Sequence, residues 1–220
     1  MYKIIKRILD ILIALIALVV LSPVLVIVML VLIFTGEHEV FYFQERIGYR
    51  NKPFYIWKFV TMVKNSPNMA TGEITLRNDP RVTSFGKILR RTKINELPQV
   101  INVLKGDMSI VGPRPLMEVS FNLYSEEDRS YIYSVKPGIT GIGSIIFRDE
   151  EKMLSEADDP RQMYRSIYPY KAELEKWYRM NQSFYIDSMI MLLTALTIVT
   201  PKALKPVDVF KRLPERNISV

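Results

Sequence analysis

Cysteine is absent from the 220 residues, and histidine occurs once. The first absence excludes disulfides and thiolate metal sites. The second excludes a multi-histidine metal centre. His38 lies between Glu37 and Glu39 and reads as a surface or interfacial residue. Aromatic residues are scarce where positive charge is densest. From Arg77 to Arg114 there are eight basic and three acidic residues, and Phe85 is the one aromatic. Nucleic-acid binders interleave stacking aromatics with their cations, so this stretch argues against that class. There is no internal repeat and no low-complexity tract. The net charge of +7 fits anionic lipid headgroups, anionic substrates or nucleic acid, and by itself does not choose among them.

Charge is missing from one long run. Residues 1–10 carry Lys3, Lys6, Arg7 and Asp10, but Ile11 to Phe34 contains no charged residue. As a helix those 24 residues extend about 36 Å, enough to cross a hydrocarbon core of roughly 30 Å. No small-residue cleavage site succeeds the run, which argues against a cleaved signal. Ser22-Pro23 interrupts it, and proline removes a helical hydrogen bond and bends the helix. Lys3, Lys6 and Arg7 put the N-terminus on the cytoplasmic side. Physics alone leaves a spanning and a re-entrant helix both open.

Beyond Phe34 the pattern is mixed. Val40 to Phe43 predicts a short strand, and Phe54 to Met62 is a second aromatic stretch. Lys58 there is either a phosphate contact or a lysine snorkelling beside the membrane, with Trp57 as interfacial anchor. Turn signals over 64–80 predict an exposed loop. A polar helix is expected up to Arg129, and an amphipathic one from Pro169 to Met180. Ser188 to Thr200 is uncharged but too short to span, so it reads as an interfacial or core helix ended by Pro201. Lys202, Lys205, Lys211, Arg212 and Arg216 make a basic tail suited to anionic lipid.

The stretch Asn95 to Pro115 carries the densest chemistry. Asn95 is expected as a helix N-cap, Pro98 in the first turn, and Gly106 as the stop. Glu96 would then lie at a helix start, where the dipole favours anions such as phosphate. Arg114 sits between Pro113 and Pro115, a stiff turn suited to bidentate phosphate contact. An exposed arginine on a common Gly-Pro turn is the plain alternative.

The run Glu96-Leu-Pro-Gln, then Asn102-Val-Leu-Lys-Gly-Asp-Met-Ser-Ile-Val-Gly-Pro-Arg-Pro115, resembles the signature of the bacterial sugar transferase family. These are small monotopic polyprenol-phosphate phosphoglycosyl transferases. The resemblance extends from Lys6 to about Thr200 and includes Ser22-Pro23, Lys58 and Val135-Lys-Pro-Gly-Ile-Thr-Gly141. It implies an α/β, helix-dominated fold. Residues 1–36 would form a re-entrant membrane helix. Residues 37–200 would form a small membrane-associated transferase domain with short strands and amphipathic helices, followed by a basic tail over 201–220. The implied place is the cytoplasmic face of the bacterial inner membrane.

The implied activity is transfer of a phospho-sugar from a UDP-sugar to polyprenol (undecaprenyl) phosphate. UMP is released and Mg2+ is the cofactor. This would be the first membrane step of capsule, O-antigen, exopolysaccharide or glycoprotein assembly, with downstream glycosyltransferases and anionic lipids as partners and no nucleic acid. Carried onto this sequence, Glu96, Asn95 and Arg114 are the catalytic candidates, and Glu96 is the metal ligand. Lys58, Arg81, Arg90, Arg91, Asp107 and Arg148 are the substrate-binding candidates.

Three departures stand out. The family motif usually begins with an aspartate, the covalent nucleophile, where this chain has Asn95, and a neutral amide cannot replace it. Val60 stands where arginine is usual. The family's aromatic-Gln pattern is replaced by Ile142-Gly-Ser-Ile-Ile-Phe-Arg148. Glu96 could then be the nucleophile, the polyprenol phosphate could attack directly, or Asn95 could be a change that stops turnover. A catalytically disabled membrane-bound relative, acting as scaffold or UDP-sugar binder, is the alternative.

Overall fold

The computed structural model describes residues 2–66, 69, 79–199, 206–210 and 212–215. Helix α1 runs unbroken from Tyr2 to Phe34 with Pro23 inside it. The Ser22 hydroxyl donates to the Val19 carbonyl at 2.7 Å, so the polar side chain is satisfied within the helix. By length and composition α1 can cross a membrane. Asp10, Ala14, Val28 and Leu32 are its buried residues. Ile16, Val19, Val20 and Ile27 lie more than half exposed. An apolar surface of that extent marks a membrane or partner contact.

Strands β1 (Phe41–Ile47) and β2 (Pro53–Phe59) form an antiparallel hairpin. The turn between them puts Arg50 and Asn51 in the left-handed region. Then come α2 (Ser84–Arg91), a 3-10 turn (Ile94–Glu96), α3 (Gln99–Lys105) and β3 (Ser109–Val111). Thr83 caps α2 by accepting from the Gly86 amide at 3.0 Å. Gly106, at φ 95, ends α3 as expected.

Helices α4 (Glu118–Phe121) and α5 (Glu126–Ile132) precede β4 (Gly138–Thr140), which pairs parallel with β3. The elements described after β4 are helices: α6 (Ile142–Ile146), α7 (Glu150–Ser155), α8 (Pro160–Ser166), α9 (Tyr168–Asn181), α10 (Phe184–Val199) and α11 (Pro206–Val209). The helix-dominated fold with a few short strands is the one expected.

The main core gathers residues of α5, α6, α9 and α10, with Tyr133, Tyr168, Tyr178, Ile190 and Leu193 fully enclosed. Two smaller cores join α1 to the domain. Ala14 packs with Ile56, Val103 and Met108. Val28 and Leu32 pack with Phe59 and Leu89. Both halves of α1 therefore rest on the same body.

Several expectations shift. Asn95 is not an N-cap: it lies inside the 3-10 turn, which Lys93 enters with φ 61, and Pro98 occupies the position before α3. The first strand begins at Phe41 and runs on to Ile47. The apolar C-terminal helix begins earlier, at Phe184. The expected loop over 64–80 lies largely outside the described residues, as do Pro201, Lys202, Lys205, Lys211 and Arg216 of the basic tail.

Candidate active site

Cross-strand neighbours of an antiparallel pair share a face. The register Tyr42↔Lys58, Gln44↔Ile56 and Arg46↔Phe54 puts Arg46, Ile56 and Lys58 on one face of the hairpin. The 3-10 turn brings Glu96 against that face, and α3 adds Gln99, its first residue. The Gly-Pro-Arg-Pro turn after β3 adds Arg114. Together these residues, with Ile139 of β4, line a cleft open to solvent.

Among the described residues that line the cleft, the cations Arg46, Lys58 and Arg114 surround one carboxylate, Glu96. Burial is the largest influence on Lys58. Glu96 opposes it, Arg46, Arg114 and Arg90 reinforce it, and the ammonium is pushed down to about 7. Burial alone would raise Glu96, but Lys58, Arg114, Lys93 and Arg46 outweigh it and hold the carboxyl below its ordinary value. The site thus keeps an ionised carboxylate beside a lysine poised near neutrality.

The Arg114 backbone is fixed on both sides. Its carbonyl accepts from the Tyr133 hydroxyl at 2.8 Å, and its N–H donates to Glu175 Oε1 at 3.4 Å. The residue is exposed at the cleft mouth. Arg46 donates to Gln44 Oε1 at 3.2 and 2.6 Å through Nε and Nη2. Asn102 ties α3 to the hairpin: its Oδ1 accepts from the Trp57 amide at 3.0 Å, and its Nδ2 donates to the Tyr55 carbonyl at 2.8 Å.

Of the residues singled out in the sequence, Lys58, Glu96 and Arg114 meet in the cleft. Asn95 is adjacent in the chain but does not line the cleft. It is 7% exposed, and its Oδ1 has no hydrogen-bond partner among the described residues. Arg90 pairs with Glu151 at 2.5 Å, close enough for its charge to act on Lys58. Arg91 is exposed on α2.

Three others are not in the cleft. Arg81 is buried against Asp79, its Nη2 at 2.7 Å from Oδ2, and joins the chain before α2 to that carboxylate. Asp107 lies at the opposite end of α3 from Glu96, accepting from Asn102 Nδ2 at 3.3 Å. Arg148 donates to the Thr197 carbonyl in the last turn of α10, where a cation suits the helix dipole. Sequence reasoning missed Arg46, Gln99 and Glu175. Gln99 lay inside the Glu96-Leu-Pro-Gln motif, and Arg46 could have been found by pairing the two aromatic strands.

Among the described residues there is no group of three or more metal-ligating side chains. Mg2+ suits such a place, because it keeps several waters and takes one or two protein carboxylates plus substrate phosphates. Glu96, ionised and lining the cleft, fits that donor set.

Comparison with known proteins bears on what the cleft handles. The pattern of the bacterial sugar transferase family matches residues 1–201. The UDP-N-acetylgalactosamine-undecaprenyl-phosphate N-acetylgalactosaminephosphotransferase of Aeromonas hydrophila is 35% identical over 202 residues, covering 91% of this chain and 45% of its own. The uncharacterized sugar transferase EpsL of Bacillus subtilis is 33% identical over 202 residues, 92% of this chain and 91% of its own. The UDP-glucose:undecaprenyl-phosphate glucose-1-phosphate transferase of Escherichia coli is 36% identical over 203 residues, 91% of this chain and 41% of its own. The chain therefore spans under half the length of the first and third relatives and nearly all of the second.

Proposed function

This chain belongs to the bacterial sugar transferase family, and from that premise we propose that it moves a phospho-sugar from a UDP-sugar to polyprenol phosphate and releases UMP. The observation that carries the reading is the cleft, where three cations face one ionised carboxylate. A pyrophosphate and a lipid phosphate need that surplus of positive charge. The Aeromonas and Escherichia relatives act on UDP-sugars and undecaprenyl phosphate, which supports the same substrate classes here.

In the net reaction an oxygen of the polyprenol phosphate bonds to the sugar-bearing phosphorus. The bond from that phosphorus to the bridging oxygen breaks, and UMP leaves with that oxygen. No net proton is transferred. Arg46, Lys58 and Arg114 bind and orient the phosphates and stabilise the charge that builds on the leaving UMP. Mg2+, held by Glu96, would supply Lewis-acid polarisation of the phosphates.

Asn95 cannot attack phosphorus. Either Glu96 attacks first, forming an acyl phosphate that the polyprenol phosphate then cleaves, or the polyprenol phosphate attacks directly. A disabled relative that binds UDP-sugar is the second reading, favoured by the buried amide at Asn95 and by Val60.

We place the protein on the cytoplasmic face of the bacterial inner membrane with α1 re-entrant. Support comes from α1 itself: Arg7 and Asp10 at one end, and Val28 and Leu32 towards the other, contact one globular body. The cysteine-free sequence allows a clean test. Single cysteines at Lys3 and Glu39 should both be labelled from the cytoplasmic side; labelling from opposite sides would rule out re-entry.

The function is tested by UMP release from a panel of UDP-sugars with undecaprenyl phosphate and Mg2+. Turnover that is lost in Glu96→Gln supports the enzyme, and a phospho-sugar adduct in the intact mass separates covalent from direct attack. Turnover only in Asn95→Asp supports the disabled relative. Silence from the chain and from Asn95→Asp across the panel would overturn the transferase reading.

A further inference from the structure

The segment Ile142-Gly143-Ser144 departs from the family pattern, and nothing in the cleft explains it. Its packing does. A Cβ placed on Gly143 would sit 2.6 Å from Glu175 Oε1, closer than real Cβ contacts come. The oxygen that fills this space accepts the Arg114 N–H at 3.4 Å. Glu175 projects from α9, is 4% exposed, and its second oxygen, Oε2, has no hydrogen-bond partner among the described residues.

The charged and titratable groups around it come from several elements. Arg114 lies on the turn after β3, Lys171 one helical turn back on α9, and Tyr124 and Tyr133 on either side of α5. Lys171 is committed elsewhere: it pairs with Glu150 at 2.6 Å and lies over the rings of Phe147, Tyr164 and Tyr168. The long Arg114 contact is thus the one hydrogen bond Glu175 makes among the described residues. A buried carboxylate in an aromatic core is costly, and this one sits directly behind the arginine at the cleft mouth.

We propose that Glu175 is a positioning residue for Arg114, seated by the missing side chain of Gly143. The carboxylate holds the Arg114 backbone from behind and so fixes where the guanidinium meets phosphate. Gly143 and Glu175 then act as one unit: a residue with a Cβ at 143 displaces the carboxylate from the turn. The inference rests on the cleft taking the phosphates of a UDP-sugar.

Two measurements on the full chain in nanodiscs test it. The first is hydrogen exchange at the Arg114 amide, which is the one exchangeable backbone proton between Pro113 and Pro115. The second is calorimetric affinity for UDP. Gly143→Ala and Glu175→Asp should each speed exchange and weaken UDP about tenfold, the worth of a lost hydrogen bond. The double variant should be no worse than either single one, because both remove the same contact. Glu175→Gln keeps an acceptor oxygen and should retain protection and affinity.

Losses that multiply to about a hundredfold in the double variant, or fast exchange with unchanged UDP affinity, would overturn the proposal. So would unchanged exchange in both single variants. If the parent binds no UDP, the assignment of the cleft to a nucleotide falls instead, and with it the phosphate-positioning role; the exchange rates still decide whether Glu175 holds Arg114.

Discussion

Two groups of charged side chains on this fold differ in how they are completed. The first, at the start of α1, is closed. Lys6 pairs with Asp187 at 2.7 Å, and the hydroxyls of Tyr2 and Tyr178 donate to the same carboxylate at 2.8 Å each. Asp10 accepts from the Ser109 hydroxyl at 2.7 Å and the Ile110 amide at 3.1 Å. The second, in the cleft, is open. Glu96 makes no ion pair or hydrogen bond among the described residues, and three cations face it. A satisfied network fixes a fold, whereas a surplus of one charge leaves work for a ligand.

The largest expected effect tests the closed group. Asp187→Ala removes the 2.7 Å partner of Lys6, which keeps only the 3.8 Å contact to Asp10, and an acceptor of two tyrosine hydroxyls, of which Tyr178 keeps the Val111 carbonyl at 3.2 Å; it should cost about 3 kcal/mol of stability, read by denaturant titration in micelles. It should abolish the fold's tolerance to heating before it touches UDP affinity in the folded fraction. A loss of UDP affinity with unchanged stability would erase the contrast between the groups.

Next is the open group. Arg114→Ala should lower kcat/KM for UMP release about 100-fold, as expected for a lost charge-assisted phosphate contact. Its unfolding midpoint should stay near that of the parent, because the residue is exposed. A large stability loss would make Arg114 a structural residue like Arg81.

Two titrations sharpen the contrast further. Lys58, lowered to about 7, is charged below that pH and neutral above it. The kcat/KM profile of the free protein should therefore fall about tenfold per unit above pH 7, and a profile flat to pH 9 would remove Lys58 from phosphate binding. Stability follows from proton counts. Between about 7 and 10.5 the unfolded chain binds the Lys58 proton and the folded one does not, so this group makes stability rise with pH there. Glu175, raised by burial to about 7 against the pull of Arg114 and Lys171, keeps its proton in the fold between 4.5 and 7, so it makes stability fall over that window. Glu175→Gln should remove the acid-side slope alone.

The smallest effect is expected at Arg91. Arg91→Ala should change kcat/KM by less than about twofold, since exposed charges away from a site contribute little. A larger change would bring the exposed end of α2 into the binding surface.

Some of this was legible in the residues. Lys58, Glu96 and Arg114 stand in local motifs, and the structure brings those three together. The stop at Gly106 follows from its tolerance of positive φ. Arg81, Asp107 and Arg148 look equally basic or acidic in the bare sequence. Their partners, Asp79, Asn102 and the end of α10, are decided by packing, and only one of the three partners could be guessed from spacing. Arg46 was invisible because its place depends on the register of β1 against β2. The cap expected at Asn95 does not form, because capping chemistry is local, while the left-handed Lys93 that turns the chain into the 3-10 segment is set by the fold around it.

The sequence by itself determined the apolar helix, the basic centre, the helix stop and the family, because each rests on composition, period or a gap-free motif. The tertiary structure decided which charges remain open to a ligand and which are closed into the frame. It also decided that Gly143 makes way for Glu175. Charge satisfaction and close approach are properties of residues far apart in the chain, and only their packing brings them within hydrogen-bond reach.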